Sequence, residues 1–191
     1  MGPEQWQVLL SALLKSKKIM DTLADQYYMK AMDSYPFHLE EAAENLNFAL
    51  SYDNEHVGAN YLMAKLYMEV IFDYEQAESY FKRAMGSDPY NQNVCLDYAL
   101  LLLNKKEFEK AEKLIEFVLG FKDADLARVY HLVGVQCEFQ HQYDKAIQYY
   151  EDALLEAYNE EITSALEGEI KRVKAKQKIR KKTSPGKKKS K

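Results

Sequence analysis

At 191 residues, with 47% hydrophobic and 13% aromatic residues, the chain is long enough for one ordinary domain or one short repeat array. Only 7 Gly and 4 Pro argue against a turn-rich β architecture, and the two cysteines, Cys95 and Cys137, supply neither a disulfide framework nor a zinc-type spacing. The net charge of −4 conceals a division: residues 1–170 hold all 30 acidic residues beside 14 Lys and Arg, whereas residues 171–191 hold 12 basic residues and no acid.

The chain opens on Met1-Gly2-Pro3-Glu4, with no basic n-region and no myristoylation pattern. No apolar run nears the ~18 residues that a membrane span requires. The expectation is a cytoplasmic protein that does not enter a membrane, with a nuclear location open for a eukaryotic host. Residues 1–22 predict an amphipathic capping helix, because Trp6, Leu9, Leu10, Leu13 and Leu14 recur at i, i+3, i+4, i+7 and i+8. Met20, Leu23 and Tyr27 keep the stripe, so the helix is expected to continue past residue 22 without a break. Two roles are open for it: covering the end of a stack, or homodimerisation.

From residue 23 to residue 158 a short pattern returns four times: Leu39-Ala42-Leu46-Ala49, Tyr74-Ala77-Phe81-Ala84, Phe108-Ala111-Ile115-Val118 and Tyr143-Ala146-Tyr150-Ala153. The alanines Ala42, Ala77, Ala111 and Ala146 are 35, 34 and 35 residues apart. A fixed period of this length predicts stacked helix-turn-helix units, here 23–57, 58–91, 92–126 and 127–158. Two antiparallel helices approach closely only where one offers a side chain no larger than a methyl, and a facing aromatic fills the space beside it. Asp88-Pro89 ends the second unit, since proline cannot continue a helix.

These residues resemble the tetratricopeptide repeat family. The last unit carries the family pattern most fully, with Tyr130, Gly134, Tyr143, Ala146, Tyr150 and Ala153. The first departs from it, with Gln26 and Lys30 at the usual large and small sites and an unusual Tyr35-Pro36-Phe37 turn. The resemblance implies an all-α, right-handed superhelical solenoid of about four repeats with N- and C-terminal capping helices. It also implies a concave groove lined by the first helix of each unit. Carried over by position, the groove includes Tyr27, then Leu62, Leu66 and Val70, then Leu96, Leu100 and Leu103, and finally Arg128, His131, Val135 and Phe139. Leaving its leucines wet would forgo roughly 1.5–3 kcal/mol apiece. Either the chain's own terminal helices or an apolar or amphipathic segment of another protein is expected to cover them. The chaperone-type carboxylate clamp is absent, because its positions hold Ala31, Met63, Asn93 and Asp97.

Residues 159–182 predict a basic C-terminal capping helix, its acids early and its Lys and Arg late, as the helix dipole favours. Thr183-Ser184-Pro185-Gly186 breaks it, and residues 183–191 read as a disordered lysine-rich tail. Lys181, Lys182, Lys187, Lys188, Lys189 and Lys191 suit a polyanion such as nucleic acid or a ribosome, a solubilising end, or a nuclear-import signal. No Gly-rich phosphate loop, HExxH or GxSxG is present, and the four histidines are scattered. The expectation is therefore a non-catalytic interaction adaptor or scaffold without cofactor or metal, with a polyanion-binding accessory factor as the alternative.

Overall fold

The computed structural model describes residues 3–183. Its regular elements are α1 (Pro3–Ser34), α2 (Leu39–Tyr52), α3 (Val57–Leu66) continued by a π-helical turn (Tyr67–Ile71), α4 (Tyr74–Ser87), α5 (Gln92–Asn104), α6 (Phe108–Leu119), α7 (Leu126–Phe139), α8 (Tyr143–Leu155) and α9 (Glu160–Thr183). No strand occurs among the described residues. Two compact units divide the chain, one ending at Val94 and the other beginning at Cys95.

In the first unit α1 packs on α2, α2 on α3, and α3 on α4. The repeating small residues lie in these seams: Ala42, Ala49, Ala77 and Ala84 are fully buried, as are the bulky residues Leu46 and Phe81 set between them. Tyr28 exploits a further vacancy. A Cβ on Gly58 would lie 2.5 Å from its ring, so only glycine admits this ring position. Helix starts are fixed by side chains that replace missing intrahelical partners. The Ala59 amide donates to His56 Nδ1 at 3.0 Å, and the Gln76 amide to Asp73 Oδ1 at 3.1 Å.

α1 is one uninterrupted helix, so the amphipathic N-terminal stretch and the first helix of the first repeat are a single element. Trp6, Leu14 and Ile19 on it are exposed. The side chains of Leu9, Leu10, Leu13 and Met20 lie outside the described residues.

In the second unit α6 packs on α7, α7 on α8, and α8 on α9. Ala111, Val118, Ala146 and Ala153 are fully buried, with Ile115 and Tyr150 beside them. Helix α5 is buried at Cys95–Ala99 and Leu101–Leu103, which accounts for a sequence that is hydrophobic almost all round. Leu166, Ile170 and Val173 form the apolar seam by which α9 joins the core cluster of Cys137, Ala146, Tyr150 and Ala153. The Ile162 amide donates to Asn159 Oδ1 at 2.8 Å and fixes the helix start.

The turns between paired helices share one device. Phe72, Lys106 and His141 each adopt a left-handed conformation, with φ of 60°, 61° and 60°. Each lies one residue before the position that leads into the second helix of its pair. Non-glycine residues rarely occupy this region, because the Cβ crowds the backbone there.

Candidate functional site

The structure distributes the expected groove residues among different environments. In the first unit Leu62 and Leu66 are buried, at 7% and 4% exposure. They pack the unit instead of presenting a wet apolar surface. Tyr27 is a packing wedge, its ring 5.1 Å from that of Phe48 and 5.7 Å from that of Tyr52. Val70 is exposed, together with the neighbouring Ile71 and Phe72.

In the second unit Leu96 and Leu103 are fully buried and Leu100 is half-buried. Arg128 ion-pairs with the nearly buried Asp97 at 2.5 Å, which ties α7 to α5. The remaining three expected residues, His131, Val135 and Phe139, come together along α7 in a cleft of about 1030 Å³.

The opposite wall of this cleft belongs to α9, where Arg172, Lys176 and Arg180 stand at i, i+4 and i+8 with Ile179 beside them. Lys106 and His141, the two left-handed turn residues of this unit, also line it. Arg180 bounds a second hollow of about 620 Å³ with Lys145, Gln177 and Lys181. Sequence reasoning missed the α9 contribution. Its available signal was the four-residue spacing of basic side chains on one helical face.

Glu138 organises the wall. It accepts hydrogen bonds from the Arg172 guanidinium, from Lys176 Nζ at 2.7 Å and from the Tyr150 hydroxyl at 3.2 Å. Arg172 also donates to Glu169. Burial alone would raise the Glu138 pKa; the hydrogen bonds from Arg172 and Lys176 outweigh it and bring the carboxyl down to about 2. Burial in turn lowers the His131 pKa, favouring the neutral imidazole, and raises that of Tyr150. Further along α9, Gln177 donates to Asp144 at 2.5 Å, and Arg180 donates to the His141 carbonyl at 3.1 Å. The Arg180 guanidinium also lies 5.7 Å from the centre of the Tyr143 ring.

A depressed carboxyl pKa stabilises the fold fully above the ordinary glutamate value, and this contribution disappears as pH falls through the folded value. Glu138→Gln is therefore expected to melt at a lower temperature than the natural chain at pH 7, with the gap closing between about pH 4.5 and pH 2. The loss at pH 7 should be on the order of 1 kcal/mol, because solvent screens the exposed Arg172 and Lys176. Thermal melts of both proteins across this range check it.

Among the described residues no group of His, Cys, Asp and Glu is placed to hold a metal ion, and no helix is long and apolar enough to cross a membrane. Cys95 and Cys137 are buried and not joined in a disulfide.

Paired helices with small residues at each seam, recurring at a 34–35-residue period, define an all-α helical-repeat protein. Residues 72–134 match the tetratricopeptide repeat family model. The chain carries tetratricopeptide-repeat sequence over that stretch. Its fold is similar to that of pilF from Pseudomonas aeruginosa, at 20% identity and a TM-score of 0.68, over 84% of this chain and 71% of that one. It is similar as well to TTC0263, a thermophilic TPR protein of Thermus thermophilus, at 18% identity and a TM-score of 0.64, over 88% and 95% of the two chains. MamA from Desulfovibrio magneticus RS-1 shares the fold at 16% identity and a TM-score of 0.58, over 87% and 99%. No curated protein matches the sequence.

Proposed function

We propose that this chain is a non-catalytic adaptor that captures a segment of a partner protein in the cleft between α7 and α9. Tetratricopeptide-repeat proteins in general serve as interaction scaffolds. The observation that carries the reading is the convergence of His131, Val135 and Phe139 with the α9 wall in one open concavity. Partial exposure of Val135 and Phe139 on α7, beside the fully buried Leu96 and Leu103 of α5, also supports the reading. Buried cysteines at 95 and 137 that form no disulfide suit the cytoplasmic placement expected from the sequence.

The reading predicts a partner that co-purifies with the intact chain. That partner should be lost on Val135→Asp with Phe139→Asp, while circular dichroism shows the helices retained. Deleting 184–191 should leave capture unchanged. Capture that survives the paired substitutions would sink the cleft as the binding site.

A polyanion-binding role is the second reading, favoured by the exposed Lys171, Lys174, Lys178, Lys181 and Lys182 of α9. The lysines at 187–189 and 191 lie outside the described residues. Salt-sensitive retention on heparin that falls when residues 184–191 are removed would support it.

A further inference from the structure

We infer that the α7–α9 cleft takes a short acidic peptide segment with apolar side chains among its carboxylates; this rests on the adaptor reading and gives the partner its chemistry. Charge is the first observation. The cleft is lined by four permanent cations, Lys106, Arg172, Lys176 and Arg180, against two carboxylates, Glu138 and Glu169. Glu138 is engaged by Arg172 and Lys176 and Glu169 by Arg172, so two of the cations answer the two carboxylates within the wall. The surplus is positive, and it continues past Arg180 into the neighbouring hollow, where Lys145 and Lys181 outnumber the one carboxylate, Asp144, which accepts a hydrogen bond from Gln177. An anionic occupant is complementary to this surface.

The apolar lining decides the class of anion. Val135 is half-buried on the α7 side, Phe139 is 40% exposed, and Ile179 faces solvent on the α9 wall at 62% exposure. A peptide that alternates apolar and acidic side chains can seat the former on these three residues and direct the latter to the cations. A continuous phosphate backbone gains little from an isoleucine and a valine, and it would pass the carboxylates of Glu138 and Glu169. Length also fits a peptide. From Arg172 to Arg180 the wall rises about 12 Å, the reach of about four extended residues or two helical turns.

Fluorescence anisotropy on the full chain tests this. The probes are a labelled peptide of alternating glutamate with leucine or phenylalanine, the same peptide with glutamine for glutamate, and a labelled oligodeoxythymidine. The acidic peptide is expected to bind at least about tenfold more tightly than its glutamine counterpart, and more weakly as salt rises. Lys106→Asn with Arg180→Gln should weaken it by about tenfold, since two charge-assisted contacts are lost. Asparagine is chosen because it tolerates the left-handed turn. Ile179→Ser should weaken it several-fold by removing the apolar seat without altering charge. Melting temperatures of the variants establish that the unit remains folded.

Equal affinity for the two peptides, or affinity unchanged by the paired substitutions, overturns the proposal. Oligodeoxythymidine binding as tight as that of the acidic peptide also overturns it and assigns the surface to polyanions. If the acidic peptide fails while a co-purified partner is still lost on Val135→Asp with Phe139→Asp, the adaptor reading stands and the acidic ligand falls. If both fail, neither survives.

Discussion

Leu66→Glu is expected to unfold the first unit or to lower its melting temperature by at least about 10 °C. Leu66 closes α3, immediately before the π-helical turn, and is only 4% exposed. The substitution forfeits the roughly 2 kcal/mol of leucine burial and places a carboxylate where no water reaches it. An unpaired buried charge costs several kcal/mol more, and in practice the group protonates or the structure opens to hydrate it. A total above about 4 kcal/mol consumes much of the 5–15 kcal/mol by which domains of this kind are stable. At about 2–4 °C per kcal/mol for a chain of this length, the melting shift follows. Two controls set the scale. Leu100→Glu, at a half-buried site, should cost about 1–2 kcal/mol because the carboxylate can turn toward solvent. Val70→Glu, at a site 40% exposed, should be nearly neutral. Urea denaturation followed by circular dichroism ranks the three. Equal, small effects at all three would mean that Leu66 belongs to the surface that the repeat register first assigned it.

That register explains why some of the architecture was legible and some was not. Ala42, Ala77, Ala111 and Ala146 are fully buried because a small residue at constant spacing is a direct statement about helix–helix approach. The bulky partners Leu46, Phe81, Ile115 and Tyr150 follow for the same reason. Leu62, Leu66, Leu96 and Leu103 were ambiguous. Apolar character announces that a residue avoids water, but it does not distinguish cover by a neighbouring helix of the same chain from cover by a partner. The turns at Phe72, Lys106 and His141 were also silent, because left-handed backbone is ordinarily signalled by glycine or asparagine and none stands there. The cleft was hidden for a third reason. Its central link, Glu138 to Arg172, joins residues 34 positions apart on elements that sequence reading treats separately. The spacing of Arg172, Lys176 and Arg180 marks one face of α9, yet only the fold says that α7 and Glu138 lie opposite.

Tyr150→Ala should cost about 3–5 kcal/mol, the range for removing a fully buried aromatic ring. The ring occupies the place that Gly134 leaves open: a Cβ there would lie 2.5 Å from Tyr150 Cε1. Its hydroxyl donates to Glu138 at 3.2 Å, and the His131 ring lies 5.6 Å away. Tyr150→Phe keeps the ring and loses one hydrogen bond to a carboxylate that Arg172 and Lys176 still satisfy, so it should cost about 1 kcal/mol. Gly134→Ala poses a competition. Helix propensity favours alanine by about 1 kcal/mol, whereas overpacking against an immobile buried ring costs about 1–3 kcal/mol. The net effect in the natural chain should be destabilising. In the Tyr150→Ala background the clash is gone and propensity remains, so Gly134→Ala should there become stabilising. A double-mutant cycle measured by urea denaturation reads this reversal of sign. Its absence would show that α7 and α8 are not held at their spacing by this pair. Because Tyr150 also holds Glu138 from beneath, Tyr150→Ala is expected to loosen the Arg172 and Lys176 wall, weakening ligand capture beyond what Tyr150→Phe does.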